Sequence, residues 1–458
     1  MDLMTDNTSH SHLFADAKIP VRAVIGPGSQ RLGGAFAAQP SKNYTTRCLL
    51  AAALAEGRSE VHPVASSEDS AALQSCLHSL GAAVCTRGGR SSVTGFGNHP
   101  TLKSGEPINV GNAGAVLRML LGVGALLPRV MFVTDCSESL GKRPNGDLLD
   151  ALRQMGCESE SLNGCLPITL RGGSLRGGRV EISGARSSQF LSSLLFLSPL
   201  VGKPMEIVVK DTLVSKAPVR QTLEVMANAG VEVQAAEDLM HFEIRPQSYR
   251  AGSFDVNGDW PGSAAILSAA AVTGSTINAH GLLNDNQGEK RALDVLRQMG
   301  ATINGGFPNF TLTGGELNGV EFDGDLATDA VLALVGAAAL ATGRTRFYNV
   351  ANLRIKECDR ISEPITELRK IGVKCWEGKE IGDPDPDAII VEGNSGGYEG
   401  GIEVDGRGDH RVIMLLAIVG LRCKRGLVIN GAHHVTKSYP AFFQHLGQLG
   451  AQVRLERV

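Results

Sequence analysis

The sequence predicts an α/β protein of two domains, built from six copies of one repeated unit. Three observations support this prediction. At 458 residues the chain exceeds the roughly 250–300 residues at which a single hydrophobic core stops growing. A helix-end pattern, Leu-x-x-apolar followed by Gly and a short strand, recurs along the chain. A second series of helices, nearly apolar on every side, alternates with these repeats.

The first series marks the ends of amphipathic helices. Its sequences are LHSLGAAV, LRQMGCES, MANAGVEV, LRQMGATI, LRKIGVKC and LGQLGAQV, with glycines at Gly81, Gly156, Gly230, Gly300, Gly372 and Gly450. Successive glycines are 75, 74, 70, 72 and 78 residues apart. A helix C-terminus often ends on a left-handed residue, so each glycine predicts a helix end with a strand directly after it.

The second series consists of apolar helices that start in polar clusters. The starts read SKNYTTR, NAGAVLR, SSQFLSS, GDWPGS, ATDAVL and GDHRVI. Helices that are apolar all round are buried, and helix N-termini favour anions. Each polar start taken alone could be an ordinary N-cap. Together they hold more cations, amides and hydroxyls than capping requires, which favours a binding role.

Composition excludes several classes of function. Lys and Arg number 44 against 47 Asp and Glu, so no overall field attracts nucleic acid or an anionic membrane, and an anion needs a local cation cluster. The nine cysteines are scattered and never spaced C-x-x-C, which predicts neither a zinc site nor a disulfide framework. The start has no basic region followed by an apolar segment, so we expect a cytoplasmic protein with residues 1–14 as a loose tail.

Nucleotide and metal motifs are lacking. GPGSQRLGG misses the third glycine of G-x-G-x-x-G, and no G-x-x-x-x-G-K-[ST] occurs. The adjacent pairs Asp409-His410 and His433-His434 cannot share a helical face, so we expect surface or supporting groups there and no metal.

The candidate functional side chains are cations and acids at element starts. They are Lys42, Arg47, Arg143, Asp329, Lys356, Glu357, Arg360, Arg411 and Lys437. Any one alone would be a solvated surface charge by default. In NLRIKECDR, however, Lys356, Glu357 and Arg360 precede a helix. An acid flanked by fixed cations can donate a proton to a substrate whose charge those cations hold.

Nine motifs resemble, in order, those of the 5-enolpyruvylshikimate-3-phosphate synthase family. They are PSKNYTTR, VGNAGAVLR, the KRP of SLGKRPNGDLLDALRQMG, SGARSSQFLSSLL, DTLVSK, ATDA, NLRIKECDR, GDHR and VTKSYP. The likeness covers roughly residues 30 to 458. It implies an inside-out α/β barrel of six βαβαββ units, with one domain at 1–38 plus 258–458, the other at 39–257, and the active site in the cleft between them.

The resemblance also implies the reaction. The enolpyruvyl group of phosphoenolpyruvate is transferred to the 5-hydroxyl of 3-phosphoshikimate, and phosphate is released through a tetrahedral intermediate. The family needs no metal or organic cofactor, which leaves two small-molecule substrates as partners. A monomer that binds neither nucleic acid nor a membrane is expected.

Residue roles follow from the same resemblance. For 3-phosphoshikimate it implies Lys42, Asn43, Arg47, Ser187, Ser188, Gln189, Ser215, Asp329, Asn352 and Lys356. For phosphoenolpyruvate it implies Lys42, Gly114, Arg143, Gln189, Arg360, Arg411 and Lys437. The implied catalytic residues are Lys42, Asp329, Glu357 and Lys437, where Asp329 accepts the hydroxyl proton and Glu357 protonates the methylene carbon.

Four positions depart from the family pattern. Asn43 stands where many members have Ser, Ala115 where Thr is common, Pro218 where some have Tyr, and Gly408 where a polar residue is usual. The sequence therefore predicts a changed fit for inhibitors that mimic phosphoenolpyruvate, such as glyphosate, and one aromatic contact fewer on the shikimate side.

Other functions remain as alternatives. UDP-N-acetylglucosamine enolpyruvyl transferase pairs Lys with Asn in its first motif, but this chain has Glu138 where that enzyme has a loop cysteine. A non-catalytic paralogue that binds phosphorylated metabolites is disfavoured because the expected acids and lysines are present. A relative that acts on a different cyclic alcohol is the third alternative.

Overall fold

The computed structural model describes residues 20–458, so the tail predicted for residues 1–14 lies outside it. The chain divides into two compact units. The terminal unit comprises residues 20–39, Gly258–Asn284 and Glu289–Val458. The central unit comprises Pro40–Asn257 together with the short loop Asp285–Gly288.

Apart from one short turn, Gly378–Ile381, the helices fall into an apolar and an amphipathic series that alternate along the chain. In chain order they are α1 (Lys42–Leu54), α2 (Glu68–Ser79), α3 (Gly114–Gly124), α4 (Gly146–Gln154), α5 (Ser188–Leu197), α6 (Lys216–Asn228), α7 (Trp260–Val272), α8 (Arg291–Met299), α9 (Val331–Ala339), α10 (Ser362–Ile371), α11 (Gly378–Ile381), α12 (His410–Gly420) and α13 (Phe442–Gln448).

The strands are short and fall between the helices. Those up to residue 171 are β1 (Val21–Ile25), β2 (Gly33–Ala37), β3 (Ala55–His62), β4 (Ala83–Arg87), β5 (Arg90–Phe96), β6 (Ile108–Asn109), β7 (Val130–Val133), β8 (Glu158–Leu162) and β9 (Cys165–Arg171). Those from residue 178 to 280 are β10 (Gly178–Gly184), β11 (Met205–Leu213), β12 (Gln234–Ala235), β13 (His241–Ile244), β14 (Tyr249–Arg250), β15 (Ser253–Asp255) and β16 (Thr276–His280). The remainder are β17 (Thr302–Gly306), β18 (Asn309–Thr313), β19 (Glu321–Asp323), β20 (Gly343–Tyr348), β21 (Lys374–Glu377), β22 (Ile389–Gly393), β23 (Glu403–Asp405), β24 (Leu427–Asn430) and β25 (Val453–Arg457).

The strands of each unit form three sheets that share one topology. In the central unit the orders are β6-β7-β9-β8, β10-β11-β13-β12 and β14-β3-β5-β4, with β15 also paired to β3. In the terminal unit they are β2-β16-β18-β17, β19-β20-β22-β21 and β23-β24-β1-β25. The first pair of each sheet is parallel, as is the additional pair of β15 with β3, and the remaining pairs are antiparallel. The predicted α/β fold of six repeated units is confirmed.

Each repeat is completed by its two kinds of helix. The six glycines predicted to end the amphipathic helices have φ between 77° and 125°. A strand follows each of them within a few residues, as expected from the helix-end pattern. The apolar series forms the core: every residue of α7 and of α9 is buried, and α12 is buried from His410 to Gly420. The prediction that these helices are buried is therefore confirmed.

Among residues 20–458, no helix combines the length and apolarity needed to cross a bilayer.

Candidate active site

In the central unit, Lys42 opens buried helix α1. Ser41 caps the helix, its Oγ accepting from the N–H of Tyr44, so Lys42 lies in the first turn. The Lys42 Nζ forms an ion pair with Asp69 Oδ2 at 2.9 Å, and both side chains are largely buried. This places one ammonium at a helix N-terminus, where an anionic ligand is favoured.

Arg47 lies one turn further into α1 and is buried. Its guanidinium donates to three neutral oxygens: the Asn43 carbonyl at 3.0 Å, the Pro218 carbonyl at 3.0 Å and the Thr222 hydroxyl at 2.9 Å. These three contacts fix the guanidinium of Arg47 against α1 and the start of α6. The Pro218 carbonyl thus helps to hold Arg47, although Pro218 lacks the tyrosine ring that the family pattern can have at this position.

Gly114 and Arg143 lie against each other at the start of α3. A Cβ on Gly114 would stand 3.1 Å from Nη1 of Arg143, so glycine gives the guanidinium room beside the helix N-terminus. Arg143 is buried and follows a 3₁₀ turn, Leu140–Lys142. The structure brings together these two residues, which the resemblance assigns to phosphoenolpyruvate.

Helix α5 starts in a cluster held by Arg118, a residue that the sequence analysis did not select. Its Nη1 donates to Gln189 Oε1 at 2.8 Å and to Ser187 Oγ at 3.2 Å, and its guanidinium lies over the Phe190 ring. Arg118 therefore orients the side chains of two predicted ligand residues. Its signal in the sequence was a lone arginine in the otherwise apolar NAGAVLRMLLGVG.

Ser188 is the first residue of α5. Ser215 precedes α6 with φ of 52°, in the left-handed region that non-glycine residues rarely adopt. A strained serine is consistent with a constrained site, although strain alone assigns no role.

In the terminal unit, Arg360 is the centre of an ion-pair cluster. It is 2% exposed. Its Nε and Nη2 donate to Asp409 at 2.7 and 3.2 Å, and its Nη2 also donates to Glu357 at 2.7 Å. Burial opposes the charged form, but the carboxylates of Asp409, Glu357 and Asp329 together raise the pKa of Arg360 above its usual value. Arg360 thus fixes several acids at once.

Glu357 lies between two cations. Besides Arg360, the Lys437 Nζ approaches its Oε1 at 3.6 Å, and both side chains are at least nine-tenths buried. Lys437 ends the 3₁₀ helix Ala432–Lys437. NLRIKECDR predicts an acid flanked by Lys356 and Arg360; the structure shows Arg360 in this place and adds Lys437, which lies outside that motif.

Asp329 is the more accessible acid of the cluster. Its Oδ1 accepts from Arg360 Nη1 at 3.1 Å and lies 4.0 Å from Lys356 Nζ. Its side chain keeps 29% of its surface exposed, so a substrate can reach it. Asn352 lies on the same side of the terminal unit, where its Nδ2 donates to Asp325 at 3.3 Å and Thr328 at 3.4 Å.

Arg411 differs from Arg360 although both are buried. It is the second residue of α12 and is 5% exposed. Among the described residues no carboxylate pairs with it: its Nη1 approaches Met414 Sδ at 4.0 Å, and its Nε has no hydrogen-bond partner. A buried guanidinium in this state is expected to take an anionic ligand.

Asp409 takes a supporting position, one of the two places expected for it. It is 0% exposed, binds Arg360 and caps α12, accepting from Arg411 N at 2.8 Å. His410 is buried too. Burial, with the neighbouring His433 and Lys437, lowers the pKa of His434 to about 4. Within the described residues, no cluster of three or more His, Cys, Asp or Glu could hold a metal ion.

The structure thus yields two groups of side chains, one in each unit. The central unit holds Lys42, Asn43, Arg47, Gly114, Arg143, Ser187, Ser188, Gln189 and Ser215, and the terminal unit holds Asp329, Asn352, Lys356, Glu357, Arg360, Arg411 and Lys437. Of the supporting residues described above, Asp69 and Arg118 were missed by the sequence analysis, and the contact of Asp409 with Arg360 was not predicted.

Two solved structures share this architecture. An EPSP synthase from Acinetobacter baumannii superposes with a TM-score of 0.79 at 24% identity, covering 96% of this chain and 100% of that one. The enolpyruvyl transferase NikO from Streptomyces tendae gives a TM-score of 0.75 at 17% identity, covering 96% and 99%. The chain therefore has the fold found in enolpyruvyl transferases.

Sequence comparison is more specific. The family model for EPSP synthase (3-phosphoshikimate 1-carboxyvinyltransferase) matches residues 27–446. A 3-phosphoshikimate 1-carboxyvinyltransferase from Deinococcus radiodurans is 49% identical, over 96% of this chain and 98% of the relative. One from Burkholderia pseudomallei is 35% identical, over 92% and 93%. The chain belongs to the EPSP synthase family and is a transferase, which confirms the resemblance seen in the nine motifs.

Proposed function

We propose that this enzyme transfers the enolpyruvyl group of phosphoenolpyruvate to the 5-hydroxyl of 3-phosphoshikimate and releases inorganic phosphate. The reaction belongs to the shikimate pathway of aromatic amino-acid biosynthesis. The observation that carries the proposal is the Arg360 cluster, in which two acids of the implied mechanism, Asp329 and Glu357, are held by one buried guanidinium.

The cations support the choice of substrates. Both substrates carry phosphate and carboxylate groups, and arginine forks match such groups with charge-assisted hydrogen bonds of about 1.5–3 kcal/mol each. Arg411 is buried and has no carboxylate partner among the described residues, so we assign it to phosphoenolpyruvate. The motif resemblance supports assigning Arg47 to the 3-phosphoshikimate side.

The acids support the mechanism. Asp329, partly exposed, accepts the proton of the 5-hydroxyl as its oxygen attacks the central carbon of phosphoenolpyruvate. Glu357 gives a proton to the methylene carbon, and the nearby ammonium of Lys437 stabilises the carboxylate that this leaves. In the elimination, Asp329 returns its proton to the departing phosphate and the Glu357 carboxylate takes a proton back from the methyl group, so both acids regain their starting state. Each proton transfer of this kind contributes about 10²–10⁴-fold.

Lys42 and Lys437 are the proposed sources of positive charge for the phosphate that departs. We also propose that the enzyme is a cytoplasmic monomer that uses no cofactor.

The relatives favour this reaction over the transfer to UDP-N-acetylglucosamine, since those reported above are named for 3-phosphoshikimate. Phosphate release tests the choice. The purified enzyme is mixed with phosphoenolpyruvate and either 3-phosphoshikimate or UDP-N-acetylglucosamine. Release with the first acceptor alone is the expected result. Release with the second alone, or with neither, contradicts the proposal.

A further inference from the structure

Glu289 is a buried acid that the mechanism above does not use. It lies in the 3₁₀ turn Gly288–Lys290, directly before α8, and is 7% exposed. No lysine or arginine among the described residues forms an ion pair with it. A buried carboxylate without such a partner is costly, so its presence calls for a reason beyond packing.

The contact that Glu289 makes is with the proposed proton acceptor. Its Oε1 accepts a hydrogen bond from the backbone N–H of Asp329 at 3.3 Å. Asp329 lies in the 3₁₀ segment Gly324–Ala330 that leads into α9. The first N–H groups of a helix have no partner within the helix, and a negative charge near them is favourable. Glu289 therefore holds the backbone directly before α9, although it lies 40 residues away in the sequence.

The charges around this pair are few and can be named. Asp329 faces Glu289 from the segment before α9, and Arg411 faces it from α12. Asp329 itself contacts Arg360 and, at longer range, Lys356. Burial, and then the charge of Asp329, raise the pKa of Glu289 to about 7, whereas Arg411 opposes the rise. Because repulsion between two carboxylates is mutual, a charge on Glu289 also disfavours the ionised form of Asp329.

We propose that Glu289 is a positioning residue for Asp329: it holds the Asp329 backbone and, when ionised, favours uptake of the substrate proton by the Asp329 carboxylate. The inference rests on the proposed function, because it takes Asp329 as the acceptor. Glu289 touches no reacting atom and acts only through Asp329.

The test measures kcat and both KM values from about pH 5.5 to 8.5 for the wild type, Glu289→Gln, Glu289→Asp and the exposed control Glu316→Gln. Glutamine keeps the acceptor oxygen and removes the charge. We expect its kcat to match the wild type near pH 5.5, where Glu289 is protonated, and to fall about tenfold below it near pH 8.5. Both KM values stay within about twofold, Glu289→Asp recovers part of the loss at high pH, and Glu316→Gln behaves as wild type.

Melting temperatures separate this effect from a structural one. A raised carboxyl pKa contributes stability below about pH 4.5 that is lost as the pH rises through about 7. Glu289→Gln should therefore be at least as stable as the wild type at pH 8. A loss of kcat that is equal at both pH limits, or an unchanged kcat throughout, overturns the inference and leaves the proposed function standing. A wild type that releases no phosphate with 3-phosphoshikimate overturns both.

Discussion

The two units place different residues at the starts of helices that are otherwise alike. In the terminal unit, Asp259 caps α7, Asp409 caps α12 and Asp329 stands two residues before α9. In the central unit, Ser41 caps α1 and Ser187 caps α5, whereas α3 starts after Ala113 without a side-chain cap. One scaffold therefore carries acids at its helix starts in the terminal unit and neutral residues in the central unit.

This difference separates two tasks in the proposed reaction. Where a carboxylate of the chain caps a helix, its negative charge already compensates the positive end of the helix dipole. A helix start that is capped by a hydroxyl, or not capped, still attracts an external anion. The helix starts of the central unit accordingly suit anion binding. In the terminal unit the acids fixed by Arg360 suit proton transfer, and anion binding is proposed for the side chain of Arg411.

Loss of either proposed proton carrier should have the largest effect. Asp329→Ala and Glu357→Gln should each lower kcat by about 10²–10⁴-fold, because each removes one proton transfer while the helices of the terminal unit remain. Steady-state kinetics measures the loss, and circular dichroism checks the fold. The exposed acid Asp294, changed to Asn, is the matched control and should keep wild-type kcat. Near-normal turnover in Asp329→Ala or Glu357→Gln would show that the acids of the terminal unit have another role.

The two buried arginines of the terminal unit should respond in opposite ways. Arg360→Met leaves several buried carboxylates without their cation and should lower the free energy of unfolding by about 3–5 kcal/mol. Arg411→Met removes a cation that no carboxylate pairs with, so stability should change little, while KM for phosphoenolpyruvate rises about 10- to 100-fold. Denaturant unfolding and kinetics measure both effects.

The exposed Arg297→Met is the control for this pair and should change stability by less than about 0.5 kcal/mol. If Arg411→Met proved as destabilising as Arg360→Met, Arg411 would be a structural cation and its assignment to phosphoenolpyruvate would fail.

The smallest effect is expected at Asn43 in the central unit. Arg47 donates to the backbone carbonyl of Asn43, which Asn43→Ser preserves. The substitution exchanges one neutral hydrogen-bonding side chain for another, so KM for 3-phosphoshikimate should change by less than about tenfold. A change of 100-fold or more would favour the alternative of a different cyclic alcohol as acceptor.

The repeated fold could be predicted because its signals are local. Each helix-ending glycine lies within a few residues of the helix and strand that it separates, and each apolar helix is visible in its own sequence. The pairing of β1 with β24 and β25 was not predictable in this way, because it joins residues more than 400 positions apart. Nor does any local pattern reveal that the loop Asp285–Gly288 packs with the central unit.

The candidate site shows the same contrast between local signals, which could be predicted, and contacts between distant segments, which could not. Charged residues at helix starts, such as Lys42 and Glu357, were found because motif and position coincide. Asp69 and Glu289 were missed because each acts through one contact to a distant segment, 27 residues away for Lys42 and 40 for Asp329. The roles of Arg118 and Asp409 depend on the direction of a guanidinium group: that of Arg118 itself, and that of Arg360, which binds Asp409. Residue spacing does not specify these directions.

The placement of β1 has a consequence for biosynthesis. This strand lies between β24 and β25, so its sheet needs residues from near both ends of the chain. The central unit is fully translated once residue 288 has been added, and domains generally fold as they emerge from the ribosome. The terminal unit must instead hold Val21–Ile25 unpaired until β24 and β25 are made. A ribosome that stalls late would therefore release a folded central unit attached to an exposed, aggregation-prone strand edge.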